Sequence, residues 1–410
     1  MQAKQSTIFS LALIVAALGY FVDIYDLLLF NIVREPSILS LGGTDKDMVT
    51  ISTHIINWQM IGLLLGGIIW GIMGDKKGRL SVLFGSILLY SIANFLTAYV
   101  HTVDQYTWAR FTAGIGLAGE LGAGITLVSE LMPKEKRGVG TSLVAGIGLF
   151  GAVFAYYTFD ISQDWRLCYK IGGCLGVVLL LLRISVAESG MFNQVKAQNV
   201  QRGNFLKFFT NSTRFRKYIL AILIGLPTWF VIGVLVNLSN RFATALYGEN
   251  KIISGRAIMF AYAAIAIGDI AIGFVSQYFK SRKKALYLFY GLTIVNGIIF
   301  FSPLNSNDTA MYTICTLLGF STGFWAIFVT IGAEQFGTNL RATAATTIPN
   351  MVRGSLPLIN LLFKDTFMGS WKWGIVQSAI ITGIIVMIVT LVAAYFTEET
   401  FHKELNYVEE

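Results

Sequence analysis

The sequence predicts an all-α membrane protein, with twelve transmembrane helices in two pseudo-symmetric six-helix halves. Three observations predict it. Hydrophobic residues make up 55% of the 410 residues and charged ones 13%, with a mean hydropathy of +0.64, whereas soluble domains are usually about a quarter charged. The apolar residues fall in repeated blocks of about 20 or more, the length a helix needs to cross about 30 Å of hydrocarbon, and the short alternating segments of a membrane barrel are missing. The two halves of the chain also repeat weakly.

Taken in order, the apolar blocks place helices at about 8–33, 50–73, 80–100, 105–131, 138–160, 166–186, 217–246, 254–279, 284–303, 309–334, 341–366 and 373–396. The first carries Asp23 and Asp26 in its second half and is followed by further blocks, so it reads as a retained helix and not a cleaved leader. Of the 31 Lys and Arg, twenty fall in the loops on one side of these helices and nine on the other. Arg110 and Arg353 lie within the membrane. Basic loops mark the cytoplasm, so both termini are expected there. The same distribution accounts for the net charge of +8 and leaves no basic patch for nucleic acid. The longest polar interval, 187–216, divides an N-terminal bundle (1–186) from a C-terminal bundle (217–396) and a tail (397–410). That linker carries basic residues with Phe205, Phe208 and Phe209, and fits an amphipathic helix on the inner leaflet and a plain linker equally well. Cys168, Cys174 and Cys315 are odd in number and lack metal spacing, so they read as core thiols.

The repeat appears at two places. Glu130, Arg137 and Gly138 recur as Glu334, Arg341 and Ala342 at an offset of 204, and Gly71 and Gly74 recur as Gly273 and Ser276 at an offset of 202. The basic turn Lys76–Arg79 recurs as Lys280, Arg282, Lys283 and Lys284. Internal repeats in a polytopic chain mark secondary transporters, whose substrate site lies near the bilayer midplane between the repeats.

Charged residues inside such helices are the candidates for chemistry. Asp23 and Asp26, three apart, share a face of the first helix. A buried carboxylate costs several kcal/mol unless it is paired, hydrated or protonated, so the two fit a proton site or substrate ligand, or an ion pair that locks the helix. Arg110 in the fourth helix must face the bundle interior or a water-filled cavity. Glu120, ten residues and about 15 Å further along, cannot reach Arg110 and needs another partner. Arg353, flanked by Pro349 and Pro357, fits a site for a carboxylate-bearing substrate; a salt bridge to Asp269 is the competing reading. Asn57, Gln59, Tyr156, Tyr157, Trp229, Asn237, Trp325 and Asn350 are candidates to line the same cavity. No nucleotide fingerprint or Walker-type lysine is present, and no nucleophile, base and orienting group fall at a recognisable spacing. An ATP-driven pump and an enzyme are therefore both disfavoured, and no cofactor or metal is expected.

The stretch Gly71-Ile-Met-Gly-Asp75-Lys-Lys-Gly78-Arg79 resembles the G-x-x-x-D-x-x-G-R loop of the major facilitator superfamily, between its helices 2 and 3, and Arg110-Phe-Thr-Ala-Gly114 resembles the Arg-led motif of its helix 4. Within that superfamily the chain is most similar to the metabolite:proton symporters, a group allied to the sugar porters. Gly19, Asp23, Tyr25 and Asp26 fit their G-x-x-x-E-x-Y-D motif with Asp for Glu, and Arg110, Gly114, Gly119 and Glu120 fit R-x-x-x-G-x-x-x-G-G-E with Ala118 for one glycine. Glu130 to Gly138, Glu188-Ser189 and Glu399-Thr400 resemble further porter signatures.

The resemblance implies a monomeric, proton-coupled symporter of a small polar metabolite in the inner membrane, working by alternating access. Asp23, Asp26, Arg110 and Glu120 would couple protons. Arg353, Tyr25, Asn57, Gln59, Tyr157, Trp229, Asn237, Trp325 and Asn350 would bind substrate. Gly71, Asp75, Gly78, Arg79, Glu130, Arg137, Glu334 and Arg341 would form the inner gate, with Asp75 capping helix 11 and pairing with Arg137. The competing readings are a proton-driven exporter of a drug- or siderophore-like compound with the same fold, and a transporter-derived sensor without flux.

Overall fold

A computed structural model describes residues 11–44, 47–185, 202–248 and 250–409. All of its regular structure in these segments is helical, as an apolar chain must be where no water can satisfy its backbone. We number the twelve spanning elements in chain order. The first half comprises α1 (Leu11–Ser40), α2 (Met48–Lys77), α3 (Arg79–Thr97), α4 (Val103–Leu117 and Glu120–Leu131), α5 (Lys134–Leu149 and Gly151–Ser162) and α6 (Trp165–Leu182). The second comprises α7 (Ser212–Leu223, Leu226–Phe230 and a π-helical turn Val231–Val236), α8 (Ser254–Phe279), α9 (Arg282–Phe300), α10 (Asp308–Ser321 and Trp325–Glu334), α11 (Arg341–Gly354, Leu356–Asn360 and a π-helical stretch Leu361–Ser370) and α12 (Ile375–Phe396). Helix α7 begins at Ser212, its backbone capped by Asn211, so the end of the expected linker is already helical. Its first half, residues 187–201, lies outside the described residues.

The halves are joined by helices that trade side chains for close approach. Gly67, Gly71 and Gly74 of α2 face α11, where a Cβ on Gly71 would sit 2.9 Å from the Thr343 Cα and one on Gly74 2.9 Å from the Ala342 Cβ. Gly146 of α5 and Gly273 of α8 play the same part on the other side of the molecule, against Ile270 and Ser142. Small residues are what membrane helices use where backbones must pack tightly.

Two spanning helices are broken at equivalent points, which the pattern of apolar residues does not reveal. Helix α4 is interrupted at Ala118–Gly119 and α10 at Thr322–Phe324, and Gly119 and Gly323 stand 204 apart, as Glu130 and Glu334 do. At the second break a Cβ on Gly323 would lie 2.6 Å from the Gly268 Cα, so the backbones of α8 and α10 touch. The segment that restarts at Trp325 is capped by Asp269, whose carboxylate accepts from the Ala326 N–H at 3.0 Å. This is where the structure takes Asp269, and no ion pair links it to Arg353 among the described residues.

Candidate functional site

Three polar constellations are buried along the interface and inside the first half. The first ties α1 to α4. Asp26 receives both guanidinium nitrogens of Arg110, at 3.1 and 3.0 Å, while Arg110 also donates to Asn94 Oδ1 at 3.1 Å and lies over the Tyr169 ring. All of these groups are buried. A bidentate carboxylate–guanidinium pair is strong and geometrically specific, so Asp26 and Arg110 form a fixed strut.

The second supplies the partner that Glu120 requires. Glu120 begins the second segment of α4 and pairs with Arg183, which follows the last turn of α6 and is fully buried. Arg183 reads from sequence as a loop cation; instead it folds back into the bundle and also donates to the Leu83 carbonyl at 2.5 Å. Gly19 makes room for the pair, because a Cβ there would collide with the Glu120 carboxylate and the Arg183 guanidinium.

Asp23 is different. It is 0% exposed, and neither carboxylate oxygen has a hydrogen-bond partner among the described residues. It lies one turn from Tyr20 and Leu27 of α1, which with Ile24 line a small cavity at the interface. Across that cavity stand Trp229, Tyr262, Trp325 and Arg353. The cavity holds about 20 Å³ of free space, room for about one water.

Arg353 is 2% exposed, lies over the Trp325 ring at 5.6 Å and donates to Asn350 Oδ1 at 3.0 Å. Its Nε has no partner, and no carboxylate lies within ion-pair distance among the described residues. The indole N–H groups of Trp229 and Trp325 are likewise without partners there. The remaining candidates lie elsewhere. Tyr25 donates to the Cys168 carbonyl at 2.8 Å inside the first half. Gln59 is buried against α4, where Gly114 packs on its backbone. Asn57 is exposed, Tyr157 is 49% exposed and Asn237 is half-buried beyond the π turn of α7. Asn350 spends its whole amide on protein partners.

The third constellation closes the interface at the end where α12 terminates. Asp75 accepts from the N–H groups of Ala342 and Thr343 at 3.0 and 2.9 Å and from the Thr343 hydroxyl at 2.6 Å, capping the first turn of α11 where the helix dipole favours an anion. Arg79 stands 3.5 Å from Asp75, donates to Glu130 at 2.7 Å and to the Thr338 carbonyl at 3.1 Å. Glu130 also takes Arg341 at 3.0 Å, so one carboxylate bridges cations from both halves. Gly78, at φ 106°, supplies the left-handed turn between α2 and α3. Glu334 pairs with Arg282 at 3.2 Å, and Arg282 lies against Gly138 of the first half. The Arg137 side chain lies outside the described residues. Sequence reading did not bring the tail into this cluster. Arg341 donates to the Leu405 carbonyl, the Thr338 N–H to the Tyr407 carbonyl at 2.8 Å, and Asn339 to the Glu409 carbonyl at 2.9 Å. Burial of Glu399 opposes its ionisation, but donation from the Ser281 hydroxyl and from the Arg282, Phe401 and Lys283 N–H groups outweighs it, and the carboxyl is held below its ordinary range.

Two six-helix bundles with tight glycine contacts, a small and mostly apolar cavity into which Arg353 brings a charge, and an ion-pair cluster closing one end fit a multi-pass membrane carrier. A family model for the Major Facilitator Superfamily matches residues 7–359, and the chain belongs to that superfamily. The inner membrane metabolite transport protein YhjE of Escherichia coli K12 is 25% identical over 96% of this chain and 95% of its own. The niacin transporter NiaP of Acinetobacter baylyi is 24% identical over 72% and 73%. Among solved structures, the proton:xylose symporter XylE superposes with a TM-score of 0.77 at 16% identity, covering 97% of each chain.

Proposed function

We propose that this chain is a proton-coupled symporter of a small carboxylate-bearing metabolite, and that the carboxylate is carried on a planar ring, admitted when the two halves separate and the cavity, closed here to about one water, widens. Arg353 carries this reading: it is a buried guanidinium with no carboxylate partner among the described residues, set over one indole and facing another across the cavity. A guanidinium favours a carboxylate bidentately, and aromatic rings give a flat solute apolar faces to stack on. The name of the Acinetobacter relative points to the same chemistry. Asp23, fully buried and without a hydrogen-bond partner among the described residues, is the proton acceptor. Protonation removes the cost of a buried charge and lets the loaded carrier reorient. The distribution of basic loops supports an inner-membrane protein with both termini, and hence the ion-pair cluster, facing the cytoplasm.

A thermal-shift screen tests the substrate class. Nicotinate at about 100 times its dissociation constant is expected to stabilise the wild type by about 2.7 kcal/mol, and Arg353→Gln is expected to lose that stabilisation. Stabilisation by sugars or polyamines and not by carboxylates would overturn the reading.

In this account the ion-pair cluster is the inner gate. Asp75→Asn keeps the shape of the cap but weakens its acceptors, which is expected to loosen the gate by about 1 kcal/mol. Alkylation of a cysteine placed at Ser142, buried where α5 meets Gly273 of α8, should quicken about fivefold, with nicotinate affinity unchanged. A large loss of affinity with unchanged alkylation would count against the assignment.

A further inference from the structure

Asn350 stands one turn before Arg353 on α11, and its side chain reaches out of its own half. The amide nitrogen donates to the Thr346 carbonyl at 2.8 Å and to the Ala118 carbonyl at 3.0 Å, and the amide oxygen accepts from Arg353 at 3.0 Å. Both donors and the acceptor are therefore engaged, which leaves little for a solute. Ala118 lies in α4 of the other half, at the break, where carbonyls lack their usual intrahelical donors. The route to it passes α2 at Gly67, where a Cβ would lie 2.9 Å from the Asn350 amide nitrogen. Beside it, α4 and α11 meet at Gly122 and Thr346 with no space for a side chain. The next residues of α4, Gly119 and Glu120, lead directly to the buried pair with Arg183.

We propose that Asn350 is a positioning residue that ties the Arg353 guanidinium to the break in α4, holding the two halves together while Arg353 is empty and releasing them when Arg353 takes a carboxylate. The proposal rests on the reading that Arg353 receives the substrate's charge. A carboxylate forms a charge-assisted bond with the guanidinium, roughly twice as strong as the neutral bond to an amide oxygen, so substrate competes with Asn350 for the same cation. Once the amide oxygen loses its partner, the orientation that presents the nitrogen to Ala118 is no longer enforced. Substrate occupancy and separation of the halves are then linked, and the linkage is reciprocal.

The test uses the full-length chain in proteoliposomes, with Cys168, Cys174 and Cys315 replaced by Ser and one reporter cysteine, at Ser142 or at Tyr156 on the opposite end of α5. Two variants act on the tie differently: Asn350→Ala removes the amide, and Gly67→Ala displaces it. Without ligand, both are expected to raise N-ethylmaleimide alkylation at position 142 about three- to tenfold, as for one lost buried hydrogen bond, and to lower it at position 156. In the parent protein nicotinate raises alkylation at position 142; in the variants it no longer does. A general loosening of the fold would raise both reporters, and unchanged ligand-free rates in both variants would leave Asn350 an ordinary packing residue; either result overturns the proposal. Failure of the substrate reading looks different: nicotinate would then leave the parent unaffected while the ligand-free rates of the variants still shifted.

Discussion

Replacing Asp23 by Asn is expected to abolish proton-driven accumulation of substrate while leaving exchange of substrate for substrate intact. The two carboxylates of α1 are equivalent on a helical wheel, but the structure divides their work. Asp26 is held by both arms of Arg110 in a buried bidentate pair. Asp23 is buried without a hydrogen-bond partner among the described residues, one turn from the cavity-lining Tyr20 and Leu27, so in this account a proton arriving there changes the charge beside the cavity. An amide is neutral at every pH and mimics the protonated acid, which allows reorientation but no coupling. A gradient of about one pH unit supplies about 1.4 kcal/mol per proton, enough for roughly tenfold accumulation in the wild type and none in the variant. Persisting accumulation in Asp23→Asn would move the coupling site elsewhere.

Arg110→Ala is expected to be destabilising whatever it does to transport. It leaves Asp26 fully buried without its counter-ion, and breaking a buried pair in this way costs about 3–5 kcal/mol. The effect should appear as a large drop in the unfolding midpoint of the detergent-solubilised protein. Removing Asp26 as well should recover much of it, because the penalty lies in the uncompensated charge and not in the lost contact. An unchanged midpoint in the single variant would mean that Arg110 is not a strut.

The fold was legible because membrane helices are dictated by length and apolarity, and twelve blocks of sufficient length leave few alternatives. The ion-pair cluster was nearly as legible, since Asp75 and Arg79 sit in one motif and Glu130, Glu334 and Arg341 in a repeat, and the structure holds all five in buried ion pairs or a helix cap. What escaped was set by tertiary folding. Arg183 lies at the end of an apolar block, where a cation normally meets solvent or headgroups, and nothing local signals that it turns inward to Glu120. The breaks of α4 and α10 fall at glycines in stretches as apolar as their surroundings, and they become visible only where a second backbone needs the space. Asn57 and Asn350 were equivalent candidates as polar residues in membrane helices; one is exposed and the other is consumed by Ala118, Thr346 and Arg353. The tail gave a signature at Glu399 and Thr400, but it meets residues 338–341 chiefly through its own backbone groups at Leu405, Tyr407 and Glu409, which side-chain patterns do not encode.

The central claim is that a carboxylate on Arg353 and a proton on Asp23 cross together. Proton movement recorded on adding nicotinate to proteoliposomes, with no imposed gradient, tests it most directly. The wild type should alkalinise the external medium as nicotinate enters, and Asp23→Asn should show no proton signal while still exchanging labelled for unlabelled nicotinate. Net nicotinate entry without alkalinisation, or an equal proton signal in the variant, would contradict the account.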